Sequence, residues 1–141
     1  MSEYAVIQTQ FRDPAILAAA LVDLGFPGSA IEWHAEAVLL RGPGVEVSQD
    51  AQLVIRRRHV GPNANDLGFA RGPDGVFHAL VAVSDQRARG WHGPYDQIWL
   101  GRLAAAYATR QLAAQYRAKG WQVTITRQAD GVVELVAEGC V

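Results

Sequence analysis

Three features of this 141-residue chain predict an α+β fold, a single antiparallel sheet with two packed helices in the order β-α-β-β-β-β-β-α-β-β. Residues 97–119 repeat apolar and small side chains at steps of three and four, the period of an amphipathic helix. Residues 26–85 alternate at period two between turns rich in glycine and proline, as short strands do. After the long helix, Ala129-Asp130-Gly131 separates two further alternating runs, a hairpin signal. Strands that follow one another through short turns pair antiparallel, and the helices pack on the sheet they make.

The elements follow in order. Tyr4 to Phe11 alternates, with Ala5, Ile7, Thr9 and Phe11 on one face, and reads as the first strand. Asp13 caps a helix from Pro14 to Leu24, since proline at the first helical position loses no hydrogen bond. Ile16, Leu17, Ala20, Leu21 and Leu24 form its apolar stripe, and Gly25 ends it. Ile31 to Ala35, Ala37 to Arg41, Gln52 to Arg58, Leu67 to Ala70 and Val76 to Val83 are the middle strands. Gly72-Pro73-Asp74-Gly75 turns the last pair, and Val76 to Val83, apolar on both faces except His78, asks for cover on both sides. The long helix runs from Gln97 to Lys119, with Ile98, Gly101, Ala105, Ala108, Leu112 and Tyr116 on its apolar face and Gly120 closing it. Gln122 to Thr126 and Val132 to Val136 pair across the Asp130-Gly131 turn, where glycine supplies the positive φ.

Size and composition make this one domain, residues 1–141, of ordinary globular character: half of the residues are hydrophobic and 19% are charged. A net charge of −1 disfavours a partner held mainly through phosphates. The lone Cys140 excludes an intramolecular disulfide and every cysteine-rich metal site. There is no apolar run of about 20 residues and no basic-then-apolar leader, so the expectation is a cytoplasmic protein without a membrane partner. P-loop, G-x-G-x-x-G and G-x-S-x-G patterns are missing, and no catalytic residue, cofactor or metal is expected.

Several short blocks are similar to a known family. They are Ser2-Glu3-Tyr4 with Ile7-Gln8-Thr9, Asp23-Leu24-Gly25, Asn65-Asp66-Leu67-Gly68-Phe69, Phe77 to Asp85, Tyr107-Ala108 through Gly120, and Ala129 to Leu135. In that order they resemble the hypothetical chloroplast open reading frame 35 family of chloroplasts, cyanobacteria and other bacteria. Residues 27–48 and 87–95 depart from its pattern. The resemblance implies a domain of unknown function without established catalytic residues. Its bacterial members are often encoded beside an AAA-type ATPase, which implies accessory work and a protein partner of that type.

Two groups of residues are candidate sites. The loop Arg89 to Tyr95 and the start of the long helix bring together Trp91, His92, Tyr95, Trp99 and Leu103, a candidate interaction surface because aromatic side chains anchor interfaces. A connector with Trp91 tucked under a strand, and burial of Trp99 and Leu103, would account for the same residues. The second group is Arg56, Arg58, Asp66 and His78 on adjacent strands. Two guanidiniums on one face fit a phosphate or carboxylate, and His78 fits a general base. The plainer account is a solvated strand end and a hydrogen-bonded histidine. His34-Ala35-Glu36 has deaminase spacing but lacks the required paired cysteines.

Three functions compete. The first is a small non-catalytic binding or accessory protein. The second is a small-molecule or anion-binding enzyme domain using Arg56, Arg58, Asp66 and His78. The third is single-stranded nucleic-acid binding on the sheet face, with Trp and Tyr as stacking platforms. A homodimer is also expected, because a second subunit could cover the second face of Val76 to Val83.

Overall fold

The computed structural model describes residues 4–43, 45–85, 95–129 and 133–139. The chain begins with strand β1 (Tyr4–Gln8) and helix α1 (Pro14–Asp23). Strands β2 (Ile31–Gly42) and β3 (Val45–Ile55) follow, then a single helical turn α2 (Arg57–Val60). Strands β4 (Leu67–Arg71) and β5 (Phe77–Ala82) precede the long helix α3 (Gln97–Ala118) and the hairpin β6 (Gln122–Arg127) and β7 (Val133–Glu138). The class is α+β, with mostly antiparallel strands.

Both long helices are bounded as their sequences require. The Asp13 carboxylate accepts from the amides of Ala15 and Ile16, and Asp96 accepts from Ile98 and Trp99. Gly25 and Gly120 take φ of +113° and +84° just beyond the two ends.

The five-stranded sheet has the order β1-β5-β4-β3-β2, and every neighbouring pair is antiparallel. One face carries Leu53, Ile55, Leu67, Phe69, Phe77, Ala79 and Val81. Onto it pack Leu17, Ala20 and Leu21 of α1 with Trp99, Leu100, Leu103 and Tyr107 of α3. Burying one such large side chain is worth about 1.5–3 kcal/mol, so this layer is the main source of stability. The opposite face has a smaller core of Leu40, Ala51, Val54 and Leu80.

That second core is built by β2 itself. The β2–β3 register shifts between Trp33 and Val38 and again between Leu39 and Arg41, so the second half of β2, still paired with the first half of β3, bends over the back of the sheet. There the Asp66 amide donates to the Arg41 carbonyl at 2.8 Å, linking β2 to the start of β4 although the two are not sheet neighbours. Leu40 then lies over Gly68. A Cβ at Gly68 would stand 2.9 Å from both the Ala51 Cβ and Leu40 Cδ1, so only glycine admits this crossing without a shift.

Several expectations are corrected. The two short strands expected at Ile31 to Ala35 and Ala37 to Arg41 are one bent strand, leaving four middle strands instead of five. The sheet is not single: among the described residues β6 and β7 pair only with each other, against the C-terminal part of α3. The strand expected to reach Arg58 stops at Ile55, because the Arg57 amide is captured by the Asp66 carboxylate and the chain turns into α2. Arg56 and Arg58 therefore do not share a strand face. The back of β5 is covered in cis by Leu40, which removes the argument that a second subunit must cover it. The Asp130-Gly131 turn lies outside the described residues.

The face of α3 read as its core side is its outer side. Ile98 is 68% and Leu112 43% exposed, and Gly101, Ala105 and Ala108 are exposed between them. The buried side holds Trp99, Leu100, Leu103, Ala106, Tyr107 and Ala113. Both stripes have helical period; the larger side chains fill the space above the sheet.

Arg110, on the inner side, closes the helix pair. Its Nε and Nη2 donate to the two oxygens of buried Asp23 at 2.7 and 2.6 Å, and Arg127 of β6 donates to the same carboxylate at 2.5 Å. One carboxylate thus joins α1, α3 and the hairpin, which as an isolated two-stranded unit would be marginal. Burial disfavours the charged form of Asp23, but the hydrogen bonds from Arg110 and Arg127 outweigh it and hold the carboxyl below its ordinary value. Asp23→Ala should cost about 2–3 kcal/mol in urea unfolding at pH 7, below the range for a fully buried pair because Arg127 is solvent-screened. A depressed folded pKa gives stability that is present above the unfolded value of about 3.9 and lost as pH falls through the folded one. The variant and the unaltered protein should therefore converge below about pH 4. A constant gap across pH would contradict the ionic account.

Candidate functional site

The densest polar arrangement lies where the start of β4 meets β1, β2 and the end of β3. Asp66 is buried there and every polar atom it has is used. Its amide donates to the Arg41 carbonyl, and its own carbonyl accepts from the Tyr4 hydroxyl at 2.6 Å. Oδ2 accepts from the Arg41 amide and from Arg56 Nη1, both at 2.8 Å, and Oδ1 accepts from the Arg57 amide at 2.6 Å. Arg56 also reaches Glu32 at 3.2 Å and the Leu39 carbonyl at 3.2 Å, and Glu32 meets His34 at 2.9 Å. Such a closed network satisfies the charge that burial would otherwise make costly.

Next to it, buried Asp85, which closes the helical turn just after β5, accepts from the Asn65 amide at 3.0 Å and, more loosely, from its side-chain nitrogen at 3.5 Å. Burial pushes the Asp85 carboxyl above its ordinary value, and the bonds from Asn65 offset this only in part. Burial, then the charges of Asp66 and Asp85, also raise the Tyr4 phenol, which therefore stays a donor. Tyr95, raised by burial and by Asp85, donates to the Val60 carbonyl at 3.1 Å.

A different feature opens on the far side of the sheet edge. Between β1 and α3 runs a groove of about 450 Å³. Ile7, Phe11 and Leu100 contribute its apolar surface, and Gly101, Ala104 and Ala108 of α3 are small enough to leave the space. Glutamine amides, Thr9 and Tyr107 complete the lining, and among the described residues no charged side chain, histidine or cysteine takes part. Its chemistry is apolar contact and amide hydrogen bonding.

The expected site residues divide accordingly. Tyr95, Trp99 and Leu103 are core residues: Tyr95 and Trp99 meet edge-to-face at 5.0 Å, and Phe26 packs on both. They cannot serve as exposed anchors, because α3 turns its large side chains inward. Trp91 and His92 lie outside the described residues. Of the alternative set, Arg56 and Asp66 do meet, but as a pair that satisfies itself. Arg58 sits on α2 with its Nε 3.2 Å from His59 Nε2. His78 lies on β5 between Gln8 and Ala70, its Nδ1 buried without a hydrogen-bond partner among the described residues. None of the four lines the groove between β1 and α3. The open sheet face needed for base stacking is also missing: helices cover one side, β2 crosses the other, and exposed Trp33 has the Arg71 guanidinium 5.3 Å from its ring.

Reasoning from sequence missed Tyr4, Asn65 and Asp85 in the polar cluster and the Asp23–Arg110–Arg127 clamp. A signal did exist. Asp23, Asn65, Asp66 and Asp85 all fall in the short blocks that carried the family resemblance.

Asp85 yields a test opposite in sign to that of Asp23. A raised folded pKa means the folded chain keeps its proton longer than the unfolded one, so net stability falls as pH rises above about 3.9. Asp85→Asn retains an acceptor for the Asn65 amide and cannot ionise. Its melting temperature should gain on the unaltered protein between about pH 4 and pH 7. A variant that instead loses ground over that interval would show that the carboxylate form is favoured in the fold.

No curated protein and no solved structure matches the chain. A family model does: residues 20–136 match that of the proteins of unknown function designated DUF1257, from within α1 to within β7. With most of its length matched, including Asp66, Asp85, the Asp23–Arg110–Arg127 clamp and α3, the chain belongs to the DUF1257 family of proteins of unknown function.

Proposed function

We propose that this protein is a small non-catalytic binding or accessory protein that works in the cytoplasm by holding another protein segment along β1 and the outer side of α3. The observation that carries the reading is the contrast between its two polar environments. The carboxylates with which a ligand site would be built, Asp66, Glu32 and Asp23, are bound to the chain's own guanidiniums. The groove, by comparison, is open and uncharged, lined by apolar and amide groups suited to a polypeptide. Ile98 and Leu112 extend it along α3 as exposed apolar side chains. Trp91 and His92 stay in the proposed surface on residue type alone. The narrower likeness to the hypothetical chloroplast open reading frame 35 family makes an AAA-type ATPase the first partner to offer it.

Affinity capture from nuclease-treated native lysate tests this. Ala108→Arg places a long cation on the exposed groove wall and should reduce the captured protein at least tenfold without changing the melting temperature. Arg58→Ala, on exposed α2, should change capture little, as a rim charge does. Should Arg58→Ala abolish function and Ala108→Arg be silent, or should a small molecule co-purify in place of protein, the ligand-binding reading is the better one.

A further inference from the structure

The two edges of the five-stranded sheet are built differently. β2, at one edge, carries Glu32, Glu36 and Arg41 and breaks its register twice, devices that keep an exposed edge from pairing with another chain. β1, at the other edge, has none of these: Tyr4-Ala5-Val6-Ile7-Gln8 contains no charge and no proline and pairs with β5 in unbroken register. Val6 at its centre is 57% exposed. An uncharged, regular edge of this kind is a template for a further strand.

We infer that the further strand is β1 of a second copy, so that the chain is a homodimer with one sheet running through both subunits; this rests on reading the groove as a binding surface and makes a second copy, in place of an ATPase, its occupant. Paired antiparallel about Val6, β1 is complementary to itself. Ala5 faces Ile7 of the second copy, Tyr4 faces Gln8, and Val6 faces Val6, with apolar residues opposite apolar ones and no like charges opposed. Antiparallel pairing of identical strands places the two-fold axis perpendicular to the sheet and keeps both helix layers on one side. Ile7, which packs on the helix-covered face, then brings its counterpart to the mouth of the groove where Gly101, Ala104 and Ala108 leave room. The same axis turns the outer stripe of α3 toward its mate. Its residues Ile98, Gly101, Ala105, Ala108 and Leu112 are spaced three and four apart, the spacing of a helix–helix seam. α3 contains no acidic residue, and of its arginines Arg110 is bound to Asp23, so no carboxylate is buried by the contact. One association thus covers the open edge, the groove and the exposed stripe.

The test is light-scattering mass of the full chain at micromolar concentration. The unaltered protein should give about twice 15.3 kDa. Val6→Lys and Val6→Glu each set two like charges face to face on the axis, so each alone should give 15.3 kDa, and mixing them should restore the doubled mass. Ala104→Arg, on the exposed groove wall, should also give the single-chain mass, which keeps the test open if a Val6 variant folds poorly. A single-chain mass for the unaltered protein overturns the inference. So does a doubled mass that survives both Val6→Lys and Ala104→Arg, since the contact then lies elsewhere. If the mass is single while Ala108→Arg still removes a captured protein, the binding surface stands and only its assignment to a second copy falls.

Discussion

The Asp66 carboxylate is the interaction on which the rest of this structure depends. A buried carboxylate is costly unless its oxygens are saturated, and here three donors, from Arg41 of β2, from Arg56 and from Arg57 at the start of α2, saturate it. Satisfying that one charge dictates two pieces of architecture. β2 must cross the back of the sheet so that the Arg41 amide can reach it. β3 must end at Ile55 so that the Arg57 amide can turn toward Asp66. Separately, Tyr4 at the start of β1 donates to the main-chain carbonyl of the same residue. Gly68, two residues further along β4, admits the crossing by having no Cβ.

Asp23 does at the helix layer what Asp66 does at the sheet. It takes up the guanidiniums of Arg110 and Arg127 and ties the C-terminal hairpin to both helices. Between them, these two centres bind much of the buried charge within the chain. Among the described residues, what lines the groove between β1 and α3 is apolar or amide in character.

Much of the fold was legible because its signals are local. Asp13 as a cap, Gly25 and Gly120 as ends, and the Gly72–Gly75 turn each act within a few residues, and each marks its element correctly. What escaped the sequence is long-range. Periodicity shows that α3 has an apolar stripe but not which of two stripes faces inward. That is decided by the space above Phe69 and Phe77, which Trp99, Leu103 and Tyr107 fill and alanines would not. The site suffered more than the fold. Arg56 and Asp66 meet in the fold, but whether a charged pair waits for a ligand or completes itself depends on amides from Arg41 and Arg57 that no spacing rule reveals. Asp23 and Arg127 are 104 residues apart.

Native-state hydrogen exchange of Asp66→Ala tests the central claim most directly. The amides of Arg41 and Arg57, which both donate to the lost carboxylate, should lose protection together, and the urea midpoint should fall by the equivalent of about 3 kcal/mol or more as both amides and Arg56 lose that acceptor. A variant of unchanged stability that keeps both amides protected, and loses instead a bound small molecule, would contradict the account and return Asp66 to a ligand site.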